Sequence, residues 1–272
     1  MKPYRFAGRT AVVTGAGSGI GEQLARALAE RGSHVVLVER DKERLDKVST
    51  SIRTAHPGID VAQIQADLAD RDATTAAALQ IVRDRPRVDL LINNAGVALA
   101  GRFEEVTLEE FEWVLEVNFH APVVLTHHLL PTMQAGAHLV NVSSLYGLIA
   151  PPGQSAYSAS KFALRGFSQV LRAELADRGI GVTTVHPGGI NTRIAADARV
   201  GSGVDREEFA AGLKAFSRLL TYPPEQAAAD ILRAVERRRA RLLVASSAKI
   251  PDVLARVFPV GHMTAIARVM AR

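Results

Sequence analysis

Thr10-Ala11-Val12-Val13-Thr14-Gly15-Ala16-Gly17-Ser18-Gly19-Ile20-Gly21 begins as an apolar, β-branched run and ends in glycines. Residues 10–14 show no polar alternation, which is the pattern of a strand covered on both faces. The glycines make a turn. A helical pattern opens within it, placing Ile20, Leu24, Ala27 and Leu28 on one face until Arg31-Gly32 stops it. Glycines in such a turn let the backbone approach a phosphate, and a helix N-terminus adds free N–H groups and a positive dipole. The common G-x-G-x-x-G spacing is not met, because Ile20 takes the third place. The spacing present is G-x-x-x-G-x-G, through Gly15, Gly19 and Gly21.

Working outward, strand and helix keep alternating. Strands are expected at residues 34–39 (HVVLVE), 60–65 (DVAQIQ), 88–93 (VDLLIN), 137–142 (AHLVNV), 180–186 (IGVTTVH) and 241–245 (RLLVA). Helices are expected at 41–56, from 70 to Arg85-Pro86, from about 107 to 133 with an interruption at Pro122, at 155–178, and from Pro223-Pro224-Glu225 to about 238. Residues 190–221 read as irregular and then helical, a candidate lid. Continuous apolar strands alternating with helices imply an α/β chain with a parallel sheet covered on both faces. No composition break divides it, so residues 1–249 read as one domain and 250–272 as a basic, amphipathic C-terminal extension.

Composition narrows the class. The chain has 272 residues, 47% of them hydrophobic, enough for a large core. It has no cysteine, which removes disulfides, thiolate metal sites and a cysteine nucleophile. No apolar run reaches membrane-spanning length, and residues 1–6 lack the apolar stretch of a signal peptide, so a cytoplasmic protein is expected. From residue 222 onward nine Lys/Arg face four acids, which accounts for the whole net charge of +5. A solvated helix end around Arg237-Arg238-Arg239 explains this better than a nucleic-acid site. His127 and His128 are adjacent and do not share a helix face, so no metal is expected there.

In an open parallel sheet, ligands bind beyond the carboxyl ends of the strands. Several polar residues fall there. Glu39 ends the second strand, where an acid can bind ribose hydroxyls and repel a 2′-phosphate. Arg40 follows and could hold that phosphate instead, whereas Ser18 supplies no second positive charge. NAD is therefore expected in preference to NADP. Asp67 and Leu68 follow the third strand, with Asp67 placed for the adenine edge, and Asn93-Asn94-Ala95-Gly96 follow the fourth. The fifth strand ends in Ser143-Ser144, and Tyr157-Ser158-Ala159-Ser160-Lys161 lies on the helix after it. Tyr157 and Lys161 share a helix face four residues apart, a plausible proton-transfer pair. Asn118 is a poor helix former in mid-helix, either bending it locally or relaying protons or water.

Together, TGAGSGIG (14–21), Asp67, NNAG (93–96), Asn118, Ser144, YSASK (157–161) and PGGINT (187–192) resemble the short-chain dehydrogenase/reductase family, over residues 8 to about 245. The resemblance implies a single-domain Rossmann fold with a seven-stranded, doubly wound parallel sheet. It also implies hydride transfer between nicotinamide and an alcohol/carbonyl pair. Tyr157 would be the general acid/base. Lys161 would bind the nicotinamide ribose and lower the tyrosine pKa, Ser144 would orient the substrate oxygen, and Asn118 would hold a water. Pro187, Gly188, Ile190 and Thr192 would meet the nicotinamide half, and Gly15, Ser18, Gly19, Ile20 and Gly21 the phosphates. Asn94, Ala95 and Gly96 would also line the cofactor. A homodimer or homotetramer is implied.

The loops expected to set specificity read Val97-Ala98-Leu99, Leu145 to Ala150 and Ile194-Ala195-Ala196, joined by Phe209, Leu213, Phe216 and Leu219. They carry no Arg/Lys cluster, which favours an apolar alcohol or ketone: lipid-like, steroid-like or aromatic. The extension could cover the pocket, pair subunits or touch a membrane through its basic rim, and packing on the body or another subunit is the preferred reading. The competing class is a dinucleotide-binding sensor on the same scaffold without turnover.

Overall fold

In the computed structural model, which describes residues 1–261 apart from the side chains of residues 208, 211 and 215, seven strands form one parallel sheet. They are β1 (Thr10–Thr14), β2 (His34–Glu39), β3 (Val61–Gln65), β4 (Leu90–Asn93), β6 (His138–Val142), β7 (Gly181–Pro187) and β9 (Arg241–Val244). Their spatial order is β3-β2-β1-β4-β6-β7-β9. The order reverses between β1 and β4, the switch point at which a doubly wound sheet opens a crevice for ligand. Two further strands, β5 (Leu99–Ala100) and β8 (Arg199–Val200), pair in parallel and fasten the lid region to the loop after β4.

Successive residues of a strand face opposite sides of the sheet, so the unbroken apolar runs feed two cores. Val13, Val35 and Leu37 pack with Leu24 and Leu28 of α1 (Gly19–Glu30) and with Ile231 and Leu232 of α8 (Pro224–Glu236). Val12, Val36 and Val38 face the other core. It takes Ile81 from α3 (Arg71–Asp84) and Leu125 and Leu129 from α5 (Ala121–Leu129). The remaining helices are α2 (Lys42–Ala55), α4 (Leu108–Leu115), α6 (Ser155–Glu174), α7 (Arg206–Ser217) and α9 (Ser246–Val257). Asp41 and Asp70 cap α2 and α3 by accepting N–H bonds from the first turn, as short acidic side chains do.

The expected helix over 107–133 is not continuous: it breaks just upstream of Pro122, which is the second residue of α5. The break is a π-helical turn at Glu116–His120, with Ala121 N–H reaching back to the Glu116 carbonyl. Asn118 is fully buried in that turn. In the C-terminal extension, the first amphipathic piece starts earlier than expected, at Ser246, so the boundary at 249/250 falls inside α9. The second piece, residues 263–270, lies outside the described residues. None of the described helices is long and apolar enough to cross a membrane.

Candidate active site

The carboxyl ends of β1, β4, β6 and β7 converge on one crevice. At its first wall, Gly15 turns the chain with φ +63°, and a Cβ there would lie 2.9 Å from Ala95 Cα. A Cβ on Gly21 would lie 2.0 Å from the Gly15 carbonyl oxygen and 2.5 Å from Asn94 Nδ2. Side chains at these positions would push the β1 turn off the β4 turn. Asn94 closes that seam: its Nδ2 donates to the Thr14 carbonyl at 2.9 Å. Thr14 Oγ1 in turn accepts the N–H groups of Asn94 and Ala95, both at 3.0 Å. Thr14 was not among the sequence candidates, yet its hydroxyl fixes the seam.

The N–H groups of Gly19, Ile20 and Gly21 are those an α-helix leaves without an intrahelical acceptor, and the Ser18 hydroxyl at the N-cap makes no capping bond. This donor set and the bare glycine backbone fit a dinucleotide's phosphates. The Ile20 side chain instead packs on the core. Glu39 leans over Gly17, where a Cβ would lie 2.8 Å from Glu39 Cγ. Its carboxylate accepts N–H bonds from Gly17 and Arg40 at 3.0 Å each and from Asp41 at 3.2 Å. Asp67, exposed at the end of β3, accepts from Ala69 N–H, while Leu68 is buried. Across the crevice, the Thr192 methyl lies 3.1 Å from where a Gly19 Cβ would be, so the 187–192 turn faces the phosphate turn. Ile190 is buried in the core and offers the crevice only backbone.

The expected catalytic residues lie on α6 and the turn after β6. Tyr157 and Lys161 are both buried on α6, with Lys161 Nζ 5.7 Å from the centre of the Tyr157 ring. Lys161 Nζ donates to the Val142 carbonyl at 3.1 Å, and Ser143 Oγ donates to the Lys161 carbonyl at 2.9 Å. Ser144 lies beside Tyr157, and its hydroxyl pulls the phenol's pKa down. Ser144 Oγ also accepts the Tyr146 N–H at 3.1 Å, which leaves its own proton free to donate. The site therefore brings together Ser144, Tyr157 and Lys161 from two elements.

Burial raises the Tyr157 phenol above its ordinary range, against the lowering pull of the Ser144 hydroxyl. Burial also pulls the Lys161 ammonium down to about 8. The lowering of the phenol expected from the lysine is not seen: burial raises it, and the lowering pull comes from Ser144. Tyr146 stands edge-on to Tyr157 with ring centres 6.1 Å apart and is raised to about 12 by burial and then by the neighbouring phenol.

Asn118 lies beside the pair without joining it. Its Oδ1 accepts Val97 N–H at 2.8 Å, and its Nδ2 donates to the Val97 carbonyl at 3.0 Å and to Ser160 Oγ at 3.1 Å. It braces the post-β4 loop against α6. A Cβ on Gly96 would stand 3.2 Å from both Asn118 Oδ1 and Lys161 Nζ, so only glycine leaves that corner open. The family model described as short chain dehydrogenase matches residues 9–202.

The chain belongs to the short-chain dehydrogenase/reductase family.

It is 40% identical over 272 residues to the "Putative oxidoreductase SadH" of Mycobacterium tuberculosis, with 98% of this chain and 97% of that one covered. A short-chain dehydrogenase/reductase from Burkholderia phymatum, solved in complex with NAD, superposes with a TM-score of 0.84 at 27% identity, covering 93% of this chain and 95% of that one. A short-chain dehydrogenase from Burkholderia cenocepacia, solved with NADP, gives a TM-score of 0.77 at 30% identity, covering 90% and 99%. As a short-chain dehydrogenase/reductase, the protein is an oxidoreductase of CH–OH groups that works with a nicotinamide cofactor.

Some residues of this dehydrogenase site gave no signal in the sequence. Ser143 looked like the neighbour of Ser144, and Ser160 like a spacer in YSASK. Ser247 lies outside every motif, yet its Oγ accepts Gly189 N–H at 3.0 Å and would meet a Gly188 Cβ at 2.3 Å. The lid is also less open to ligand than its composition suggests. Leu99, Leu148, Ile149 and Ala195 are buried in packing, whereas Val97, Leu145, Tyr146 and Ile194 are half-buried.

Proposed function

We propose that the enzyme interconverts an apolar secondary alcohol and its ketone, with Tyr157 as general acid/base and NAD preferred over NADP. The observation that carries this reading is the buried pair on α6, with Lys161 Nζ 5.7 Å from the centre of the Tyr157 ring. In oxidation, Tyr157 Oη takes the proton of the substrate hydroxyl. In reduction it returns that proton to the carbonyl oxygen. Ser144, which accepts Tyr146 N–H, donates its own proton to the same oxygen. Lys161 lends positive charge to the phenolate, and Asn118 holds Val97 and the α6 backbone in register. Bound nicotinamide supplies the hydride acceptor or donor. Gly15, Ser18, Gly19, Ile20, Gly21, Asn94, Ala95 and Gly96 would hold its pyrophosphate side. Glu39, Arg40, Asp67 and Leu68 would hold its adenosine. Pro187, Gly188, Ile190 and Thr192 would hold the nicotinamide half. The half-buried Val97, Leu145, Tyr146 and Ile194 support an apolar substrate. The working form is a homodimer or homotetramer.

The test is turnover of hydrophobic secondary alcohols and ketones with each cofactor. Tyr157→Phe should bind cofactor within about threefold of wild type and lose at least ~100-fold in kcat, the scale of general acid/base catalysis. A Phe variant that keeps its rate would remove Tyr157 from the mechanism. Cofactor binding without turnover across the panel would favour a sensor.

A further inference from the structure

The turn carrying Ser144 is gripped by a residue outside the motifs. The chain leaves β6 through Ser143 and Ser144 and coils at once through a short 3-10 turn, Leu145–Gly147. The Ser144 side chain is fixed by Tyr146 N–H, and its backbone carbonyl is fixed from the next strand. His186, near the end of β7 and one residue before Pro187, stands 3.0 Å from the Ser144 carbonyl oxygen through Nδ1. The ring is wholly buried, and burial takes its pKa down to about 4, so it is uncharged at neutral pH. A carbonyl only accepts, so the single ring N–H sits on Nδ1. Nε2 is left buried with no partner among the described residues.

That orphan nitrogen is informative. Buried polar groups are nearly always paired, because leaving one unpaired costs free energy. Leucine would fill the space without that cost. The ring's one polar contact is the bond to Ser144. The charged groups facing it are Arg241 on β9, Arg165 on α6 and Asp252 on α9. They are occupied with one another or with the same turn: Arg241 is paired with Asp252, and Arg165 Nη1 donates to the Gly147 carbonyl at 3.2 Å.

We infer that His186 is a positioning residue for Ser144: by holding the Ser144 carbonyl it fixes the peptide plane, and so the direction in which the Ser144 hydroxyl meets Tyr157 and the substrate oxygen. This rests on the dehydrogenase reading above. A serine free to rock by a fraction of an ångström would still bind substrate but would align it poorly, so the loss falls on kcat rather than on cofactor binding.

Three substitutions separate a held carbonyl from a filled space. His186→Asn offers an amide N–H near the place of Nδ1, His186→Gln carries its amide further out toward the place of Nε2, and His186→Leu offers none. Expected kcat losses are about 10- to 100-fold for Leu and Gln and within about threefold for Asn, with cofactor Kd unchanged within about threefold. In a Ser144→Ala background, His186→Leu should change kcat by less than about threefold, because its route of action is gone. Equal losses in the Asn and Gln variants, or a further tenfold loss in the Ser144→Ala background, would overturn the inference in favour of packing. Should the Leu variant fail to fold, the Asn–Gln contrast decides alone. A readout independent of turnover is the nitrogen NMR spectrum of the wild-type histidines, with His186 assigned by its loss in the Asn variant. Protonation at Nδ1 is expected, and protonation at Nε2 would sink the inference. A wild-type enzyme inert on every alcohol and ketone would instead sink the dehydrogenase mechanism, leaving the tautomer to decide the hydrogen bond.

Discussion

Glu39 shows how much one carboxylate can be constrained by backbone alone. Three N–H groups, from Gly17, Arg40 and Asp41, hold it across the glycine turn, at the place where an adenosine ribose would rest against β2. A fixed negative charge there attracts ribose hydroxyls and repels a 2′-phosphate. Glu39→Ala should therefore weaken NAD by about 10- to 100-fold, matching the ~1.5–3 kcal/mol of a charged hydrogen bond. NADP should be unchanged or tightened. Titration calorimetry with both cofactors checks this, and equal losses would mean that the turn, rather than the ribose contact, was damaged. At this scale the sequence was informative wherever spacing encodes geometry. Tyr157 and Lys161 had to share a face, and Gly15, Gly19 and Gly21 had to line a turn. It was silent where a contact depends on two distant strands: nothing in the string links His186 to Ser144, or Thr14 to Asn94, because those bonds exist only once β7 lies beside β6 and β4 beside β1.

Most of the seven sheet strands were legible because they are apolar runs covered on both faces; β3 (VAQIQ), at the sheet edge, carries two glutamines and is the exception. The two-residue pair β5–β8 was not legible, since two residues carry no periodicity. The π turn at Glu116–His120 was legible only as an interruption near Asn118 and Pro122; that Asn118 satisfies both backbone groups of Val97 depends on tertiary packing. The C-terminal helix α9 was placed four residues late for a similar reason. Its anchor is Asp252, only 9% exposed in its side chain, paired with Arg241 of β9 and with Arg256 at 3.2 Å. Ser247 of the same helix takes the Gly189 N–H, so α9 bears directly on the turn expected to meet nicotinamide. Asp252→Ala should destabilise the fold by about 2 kcal/mol. That is less than a fully buried pair would lose, because Arg241 keeps 27% of its side-chain exposure and water can solvate the charge left behind. Urea denaturation measures the change. A variant as stable as wild type would show that α9 is held by its apolar contacts alone.

Across the whole molecule, two buried histidines make stability depend on pH. His138 and His186 are lowered from 6.5 to about 3 and about 4, in both cases chiefly by burial. His138 receives the Arg238 guanidinium on Nδ1 and donates from Nε2 to Thr183 Oγ1 at 2.8 Å, a neutral arrangement. Below pH 6.5 the unfolded chain binds protons that the folded chain refuses, so stability falls as the pH drops through 6.5 toward the folded values. Between pH 7.5 and 5.5 the loss should be about 3 kcal/mol for the pair, and His186→Asn should remove roughly half of that dependence. Urea titrations of both proteins at the two pH values test it, and a flat response would show that these rings accept protons in place. The strand order carries a consequence of timing as well. On the ribosome β1 emerges first, β2 and β3 extend one side of it, and β4, β6, β7 and β9 then add in turn to the other. Once β1 is made, each later strand finds a neighbour already in place, so the sheet can grow at the pace of translation. Residues 2–4 are the exception: Tyr4 N–H bonds to the carbonyl of Glu236, and Arg238 reaches back to Lys2, so this segment stays unfastened until residues 236–238 have been made.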